Sequence, residues 1–318
     1  MSSTRKGILL AFVAAVLWGV LAVALKVACR YLDSRSIVWL RFFIAFAMIA
    51  LFSPFSSKNR GLLSVFKRAP KKAWFASLGL AGNYWGYMNG VELISPSNAQ
   101  VFIQLGPLLL VFSGIFLFSE SLNLWQLFGL FSVLVGFFLF SDDQSSSSIE
   151  GSTQYYEGVA WLVFASVSWV VFAVLQKNLV KKGWTPHRLN FFIFGSSALL
   201  FLPLADFSRM SAIPLDMWPL MLFLGLNTWI AYGALGESLS LIPVSVTSVI
   251  ITINPIFTLL IMSGLSVAEV TWIDYEKIHT EGWFGALLII LGACLVAGMA
   301  KRGSSLRDNN SAELQASS

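Results

Sequence analysis

Charge is scarce in this chain. Only 12% of its 318 residues are Asp, Glu, Lys or Arg, against roughly a quarter in soluble domains, while 57% belong to the apolar set. A soluble core of that composition would leave too little polar surface to cover it, which excludes a water-soluble globular fold. Histidine is scarcer still, with only His187 and His279. No His-Glu-x-x-His, Cys/His cluster or Gly-x-Ser-x-Gly occurs, which argues against a membrane-embedded enzyme. No metal and no cofactor are expected. The two cysteines, Cys29 and Cys294, lie near opposite chain ends in or beside apolar runs and read as free thiols. No Gly-rich phosphate loop ending in Lys-Ser/Thr is present, which argues against direct drive by ATP.

What the chain has instead is long apolar runs. Residues 7–25, 42–52, 101–118, 127–140 and 283–300 each pass without a charge, and about 20 apolar residues cross a hydrocarbon core as a helix. The runs are long and do not alternate, so helices fit them and barrel strands do not. The expected fold class is an all-α polytopic membrane protein with ten transmembrane helices, over 7–28, 36–55, 73–92, 96–118, 122–141, 157–177, 187–206, 217–237, 243–264 and 282–301. The first span is too long for the apolar region of a signal peptide. Residues 142–156 form a polar linker that divides the chain into a first five-helix repeat (7–141) and a second (157–301). Residues 302–318 read as a polar, disordered tail.

Lysine and arginine set the expected orientation. With the N-terminus in the cytoplasm, one side collects fifteen of the 21 basic residues, at 5–6, 58–72, 177–188 and 301–307. The linker holds Asp142, Asp143 and Glu150 with no basic residue, as an external loop would. Both termini are then cytoplasmic, and the cell membrane (plasma or inner) is the expected location. The net charge of +5 is accounted for by topology, leaving no nucleic-acid patch. Membrane lipid and a small molecule are the expected partners, and a homodimer is left open.

Aligning Gly7 with Gly158 uncovers an internal repeat. GILLAFVAAVLWGVLAVALK and GVAWLVFASVSWVVFAVLQK agree at eight of twenty positions, including Trp18 with Trp169 and Lys26 with Lys177. Arg41-Phe42-Phe43 then answers Asn190-Phe191-Phe192, Asn83-Tyr84-Trp85 resembles Asn227-Thr228-Trp229, and Gly106-Pro107 answers Asn254-Pro255. A unit of five helices is odd, so the second copy enters the membrane from the opposite side. Inverted repeats are a construction plan of secondary transporters, with the site near the midplane between halves.

The fourth helix of each half carries a matched polar stripe. Ser97, Gln100, Gln104 and Pro107 share one helical face, and Ser245, Ser248, Thr252 and Pro255 repeat the spacing. Such groups find no partner in lipid and must face the interior. Two readings stand: the stripes line a path, or they bond helix to helix. The prolines Pro107 and Pro255 break the helices and release the carbonyls of Ile103 and Ile251 as candidate acceptors. Helix 3 adds Asn83, Tyr87 and the series Gly82, Gly86, Gly90, which reads first as close packing. Trp18, Trp85, Trp169 and Trp229 sit in mid-helix, either in the core or against a substrate.

Charges inside helices require a reason. Lys26 or Arg41 with Glu92 would close an outer gate, and Lys177 with Glu237 an inner one. The alternative is lysines reaching out to the interface.

Trp18-Gly19, Lys26 eight residues on, and Arg41-Phe42 resemble the opening signature of EamA-type transporters of the drug/metabolite transporter superfamily. Ser95-Pro96-Ser97-Asn98-Ala99, Pro107, Glu120 and the stretch from Gln126 to Gly136 resemble the rest of that domain, and the second half resembles it again. The second copy departs at Val170 in place of Gly19, at Asn190 in place of Arg41, and at Glu269, one residue off the Glu120 position. The resemblance implies a ten-helix fold, a central cavity, alternating access, and substrates such as amino acids or related metabolites, often exported. Proton antiport and facilitated diffusion both remain open, as does a receptor or scaffold without transport.

Overall fold

The computed structural model of the chain describes residues 3–52, 64–110, 124–147, 152–242, 247, 250–273, 278–292 and 294–295. Among the described residues the regular structure is helical throughout. The principal helices are α1 (Ser3–Ala28), α2 (Ser34–Phe52), α3 (Lys71–Leu93), α4 (Pro96–Phe102, resuming at 105–110), α5 (Leu124–Ser147), α6 (Ser152–Lys181), α7 (Pro186–Phe201), α8 (Trp218–Leu241), α9 (Asn254–Val267) and α10 (Thr280–Gly292). They follow the order of the expected ten spans, in a membrane protein of the ten-helix class.

α1, α2, α6, α7 taken with the turn that follows it (Pro186–Leu204), and α8 are long and apolar enough to cross a membrane, while α9, α10 and the 127–140 part of α5 are shorter apolar stretches. α3 is as long as these but more polar, because Asn83, Tyr84 and Tyr87 turn inward and are buried. The outward face of α5 is a row of Phe128, Phe131, Leu134 and Phe138, each more than half exposed. Water would penalise such a row, and lipid accepts it. α5 and α6 also extend beyond the expected spans, so helix reaches into the 142–156 linker from both sides. The tail at 302–318 lies outside the described residues.

The halves are related by an approximate two-fold. α3 lies along α6, and α8 lies along α1, in the two most extensive helix contacts. Both pairs close on a glycine. A Cβ on Gly7 would fall 2.7 Å from Ile242, and one on Gly158 would fall 2.6 Å from Ile94. Ile94 and Ile242 each end their helix in an extended conformation, donating their N–H to Gly90 and Ser238. This match sets the third helices of the two halves 148 residues apart, so Tyr84 corresponds to Tyr232. The expected pairing of 83–85 with 227–229 is therefore one helical turn out of register. Gly82, Gly86 and Gly90 face α6: a Cβ on Gly86 would lie 2.9 Å from the Trp161 carbonyl oxygen. They do permit close packing.

α4 and α9 are interrupted at corresponding places. α4 turns at 103–104, before Pro107, and the segment leading into α9 turns at 252–253, before Pro255. In α4 the backbone tightens rather than opens, since Gln104 N–H donates to Val101 and Gly106 N–H donates to Ile103 at 2.9 Å. The Ile103 carbonyl expected to stand as an acceptor is thus taken up by a short-range bond.

Candidate functional site

The two interruptions meet. Gln104 Nε2 donates to Asn254 Oδ1 at 2.8 Å, joining α4 to α9 across the two-fold. Beside this contact lies a cavity whose empty space, open solvent at its mouth included, is about 660 Å³. Its walls come from both halves: Trp18 of α1, Arg41 of α2, Asn83, Tyr84 and Tyr87 of α3, Gln100, Gln104 and Pro107 of α4, Ser166 and Trp169 of α6, Tyr232 of α8 and Asn254 of α9.

The aromatic walls follow the two-fold. Trp18 meets the edge of Tyr232, with ring centroids 5.4 Å apart, and Tyr84 lies 6.0 Å from Tyr232. Trp169 lies over the α4 interruption, where a Cβ on Gly106 would come within 3.3 Å of its ring. Trp85 and Trp229 are elsewhere: Trp85 packs on Trp161, and Trp229 stacks on Phe52.

Of the polar wall residues, several are committed to holding helices together. Gln100 Nε2 donates to the Trp18 carbonyl at 2.7 Å, and its Oε1 accepts from the Tyr87 hydroxyl at 2.9 Å. That residue ties α1, α3 and α4 with both ends of its amide. Asn83 donates to the Ala165 carbonyl of α6 at 3.0 Å.

Others are left unfilled. Gln104 Nε2 faces the Gln100 carbonyl at 3.2 Å as well as Asn254. A carbonyl can only accept, so the amide orientation is determined and Oε1 is the atom left over. That Oε1 and the Ser166 hydroxyl are buried without a hydrogen-bond partner among the described residues. Buried polar atoms of this kind are rare in native folds and mark a place for water or ligand.

Arg41 brings a formal charge to the cavity wall, and among the described lining residues no carboxylate accompanies it. Its Nε donates to Thr228 Oγ1 at 3.2 Å, and its guanidinium carbon lies 4.2 Å from the centre of the Tyr84 ring. Thr228 donates its own hydroxyl hydrogen bond to the Leu224 carbonyl, which leaves its oxygen lone pairs to accept from Arg41 and from Tyr84. Arg41 as a whole is 2% exposed and makes no ion pair among the described residues.

Of the residues singled out in sequence, Trp18, Trp169, Asn83, Tyr87, Gln100, Gln104, Pro107 and Arg41 thus line one cavity. Ser97 and Thr252 are fully buried but away from its wall, and Pro255 is buried beside Asn254. Ser245 and Ser248 lie outside the described residues, as does Glu120.

The gate candidates other than Arg41 are also away from the cavity. The Lys26 ammonium caps the C-terminal end of α3, donating to the carbonyls of Val91, Glu92 and Ile94 at 3.0–3.1 Å, where a helix end favours a cation. The Glu92 carboxylate accepts from the Ser34 hydroxyl. Glu237 pairs with Lys6 at 3.1 Å at the exposed start of α1. Lys177 is half-buried near the end of α6.

Tyr84, Tyr232, Ser166 and Asn254 were not singled out for the site. The two tyrosines become a matched pair once Leu93-Ile94 is aligned with Leu241-Ile242, a signal present in the sequence. Ser166 carries no such signal.

Comparison with known proteins agrees with this layout. A sequence model of the EamA-like transporter family matches residues 5–142 and again 157–298. An uncharacterized transporter of Haemophilus influenzae is 30% identical over 294 residues, spanning 92% of this chain and 94% of that protein. The uncharacterized inner membrane transporter YhbE of Escherichia coli is 31% identical over 300 residues, 90% of this chain and 89% of that one. A solved crystal structure, 20% identical, shares the fold with a TM-score of 0.67 over 93% of this chain and 97% of that chain.

Proposed function

The chain belongs to the EamA-like transporter family, and from that premise we propose that it carries small metabolites, amino acids or related compounds, outward across the inner membrane by alternating access. The observation that carries the proposal is the cavity between inverted halves, placed where α4 and α9 are interrupted and holding unpartnered polar atoms. A cavity at the meeting of two related halves can be opened from either side by rocking one half against the other. No chemical step is involved, and substrate gradients or coupled ions drive the flux rather than ATP.

The inner membrane location follows the named setting of YhbE. Both termini face the cytoplasm on the strength of the basic loops. Phosphatase fused within 142–156 should then be active and within 58–72 inactive; the reverse pattern would overturn the orientation.

The transport reading is tested by counterflow in proteoliposomes preloaded in turn with amino acids, their N-acyl and deaminated derivatives, nucleobases and amphiphilic amines. Saturable exchange of at least one class is expected, abolished in a protein with Trp18 and Trp169 both changed to Ala. Flux no greater than that of empty liposomes across the panel would leave a receptor or scaffold instead.

A further inference from the structure

A guanidinium buried in a membrane protein without a carboxylate needs an account. Taking a charge out of water is costly, and natural folds pair it or give it a task. Arg41 is not reaching for the interface. It stands seven residues inside α2, and its head rests on Tyr84 and Thr228, both well inside their own helices. Those contacts take up Nε and the guanidinium face, the Tyr84 hydroxyl also interacts with the guanidinium, and no carboxylate or carbonyl among the described residues accepts from either terminal nitrogen. These terminal nitrogens are the fork that grips a planar oxyanion with two bonds.

The two-fold sharpens the point. The place of Arg41 in the second half belongs to Asn190, whose carboxamide accepts from Gln176 and donates to the Tyr232 carbonyl. The aromatic frame is therefore close to symmetric, while the charge is present once. A ligand entering this frame meets one cation in the described wall together with Gln104 Oε1 and Ser166 Oγ, which have no partner among the described residues.

We infer that the cavity binds a small carboxylate, with Arg41 holding the carboxylate group, Gln104 and Ser166 meeting a polar group on its body, and Trp18 and Trp169 flanking its apolar part. A phosphate ester is a poorer match, since its charge near neutral pH approaches −2 against one guanidinium. An amine in place of the carboxylate is poorer still, because the described wall offers it no carboxylate of its own and sets a like charge against it. The inference names the substrate class of the transport reading and rests on that reading for its purpose, but its binding step can be measured alone.

The experiment is calorimetric titration of the purified full-length protein in lipid nanodiscs, with empty nanodiscs as the reference. The probes are phenylacetate, phenylacetamide and phenethylamine, which share one apolar body and differ in head group. Phenylacetate should bind wild type at least about tenfold more tightly than phenylacetamide, the worth of one charge-assisted bidentate contact, and phenethylamine should bind weakest. Arg41→Gln should remove the advantage of the acid while leaving the amide affinity within about twofold, a pattern that misfolding would not produce.

Phenylacetate that binds wild type no better than the amide, or not at all, overturns the inference without any variant. Counterflow of phenylacetate separates the two claims. Tight acid binding without counterflow of any compound supports the site and removes the transport reading. Counterflow of phenethylamine with no binding of phenylacetate keeps transport and removes the carboxylate site.

Discussion

In the first half of the chain, the second helix presents Arg41 to the cavity. In the second half, the matching Asn190 is tied to Gln176 and to the backbone of Tyr232. A similar contrast appears on the first helices. Gly19 lets α9 approach so closely that a Cβ there would fall 2.5 Å from Phe257, whereas the matching position holds Val170. Tyr84 with Tyr232, Trp18 with Trp169, and the paired interruptions of α4 and α9 stay alike. Equivalent packing keeps the two halves alike in shape, and the few unlike residues make the cavity wall asymmetric. Breaking or exchanging those unlike residues tests which half does what.

The largest effect is expected from Gly19→Val, which gives the first half the residue of the second. The added side chain meets the Asn254 backbone oxygen at 2.8 Å as well as Phe257, and helix backbone cannot move aside as a side-chain tip can. The cost should reach about 3 kcal/mol, the upper part of the range for overpacking, seen as a lowered Tm and loss of the monodisperse elution peak. Val170→Gly, the converse change, should cost no more than about 1 kcal/mol, the helix propensity of glycine. Equal effects in the two variants would mean that the α1–α9 contact is not the tight one.

Next in size is Arg41→Asn, which makes the two cavity walls alike. Carboxylate affinity should fall roughly ten- to hundredfold while Tm stays near wild type or rises, since an unpaired buried charge has been removed. Adding Asn190→Arg to that variant should not restore binding. The new charge would displace the bonds that join α6, α7 and α8 through Gln176 and the Tyr232 carbonyl. Recovery of affinity in the exchanged protein would show that the two halves are interchangeable at the site.

The helices and the two-fold were legible in sequence because lipid imposes them. Charge-free runs are a direct consequence of a hydrocarbon solvent, and matched Trp18 and Trp169 mark the repeat that the two-fold displays. Much of the cavity was legible too, since Gln100, Gln104 and Arg41 are polar residues in runs where polarity is expensive. Three things were not. The register of the third helix was drawn from the conspicuous Asn-x-Trp resemblance, which spans one turn less than the true offset marked by Ile94 and Ile242. Ser166 sits in an apolar face as an ordinary small residue, and only the fold places its hydroxyl on the cavity. The partners of the in-helix charges depend on which helix ends meet, so Glu237 was matched with Lys177 although Lys6 reaches it.

Two glutamines one turn apart separate bonding from lining. Gln100 joins three helices through Trp18 and Tyr87, so Gln100→Ala should lower stability by about 1–2 kcal/mol, the upper range for interhelical hydrogen bonds in membranes. Gln104 is bonded at one end only, to Gln100 and Asn254. Gln104→Ala should cost less than about 1 kcal/mol of stability yet weaken substrate binding several-fold. Thermal unfolding and titration on the same preparations rank the two, and a larger stability loss in Gln104→Ala would assign the stripe to helix bonding throughout.

The smallest effect belongs to Glu237→Gln. The Lys6–Glu237 pair is about half exposed on both sides, and pairs of that kind contribute about 0–1 kcal/mol, less as salt rises. The corresponding positions at the other end of the bundle are Asn89 and Glu157, which form no opposite-charge pair, so the ion pair is another feature of one side alone. If it is only a surface contact, counterflow rates of wild type and Glu237→Gln should agree within about twofold and converge at 0.5 M salt, about where screening shortens the reach of a charge to a few ångströms. If instead Glu237→Gln slows exchange tenfold or more while substrate affinity is unchanged, Lys6 and Glu237 limit the rate at which this side opens. That result would move the inner gate from the expected Lys177 pair to the start of α1.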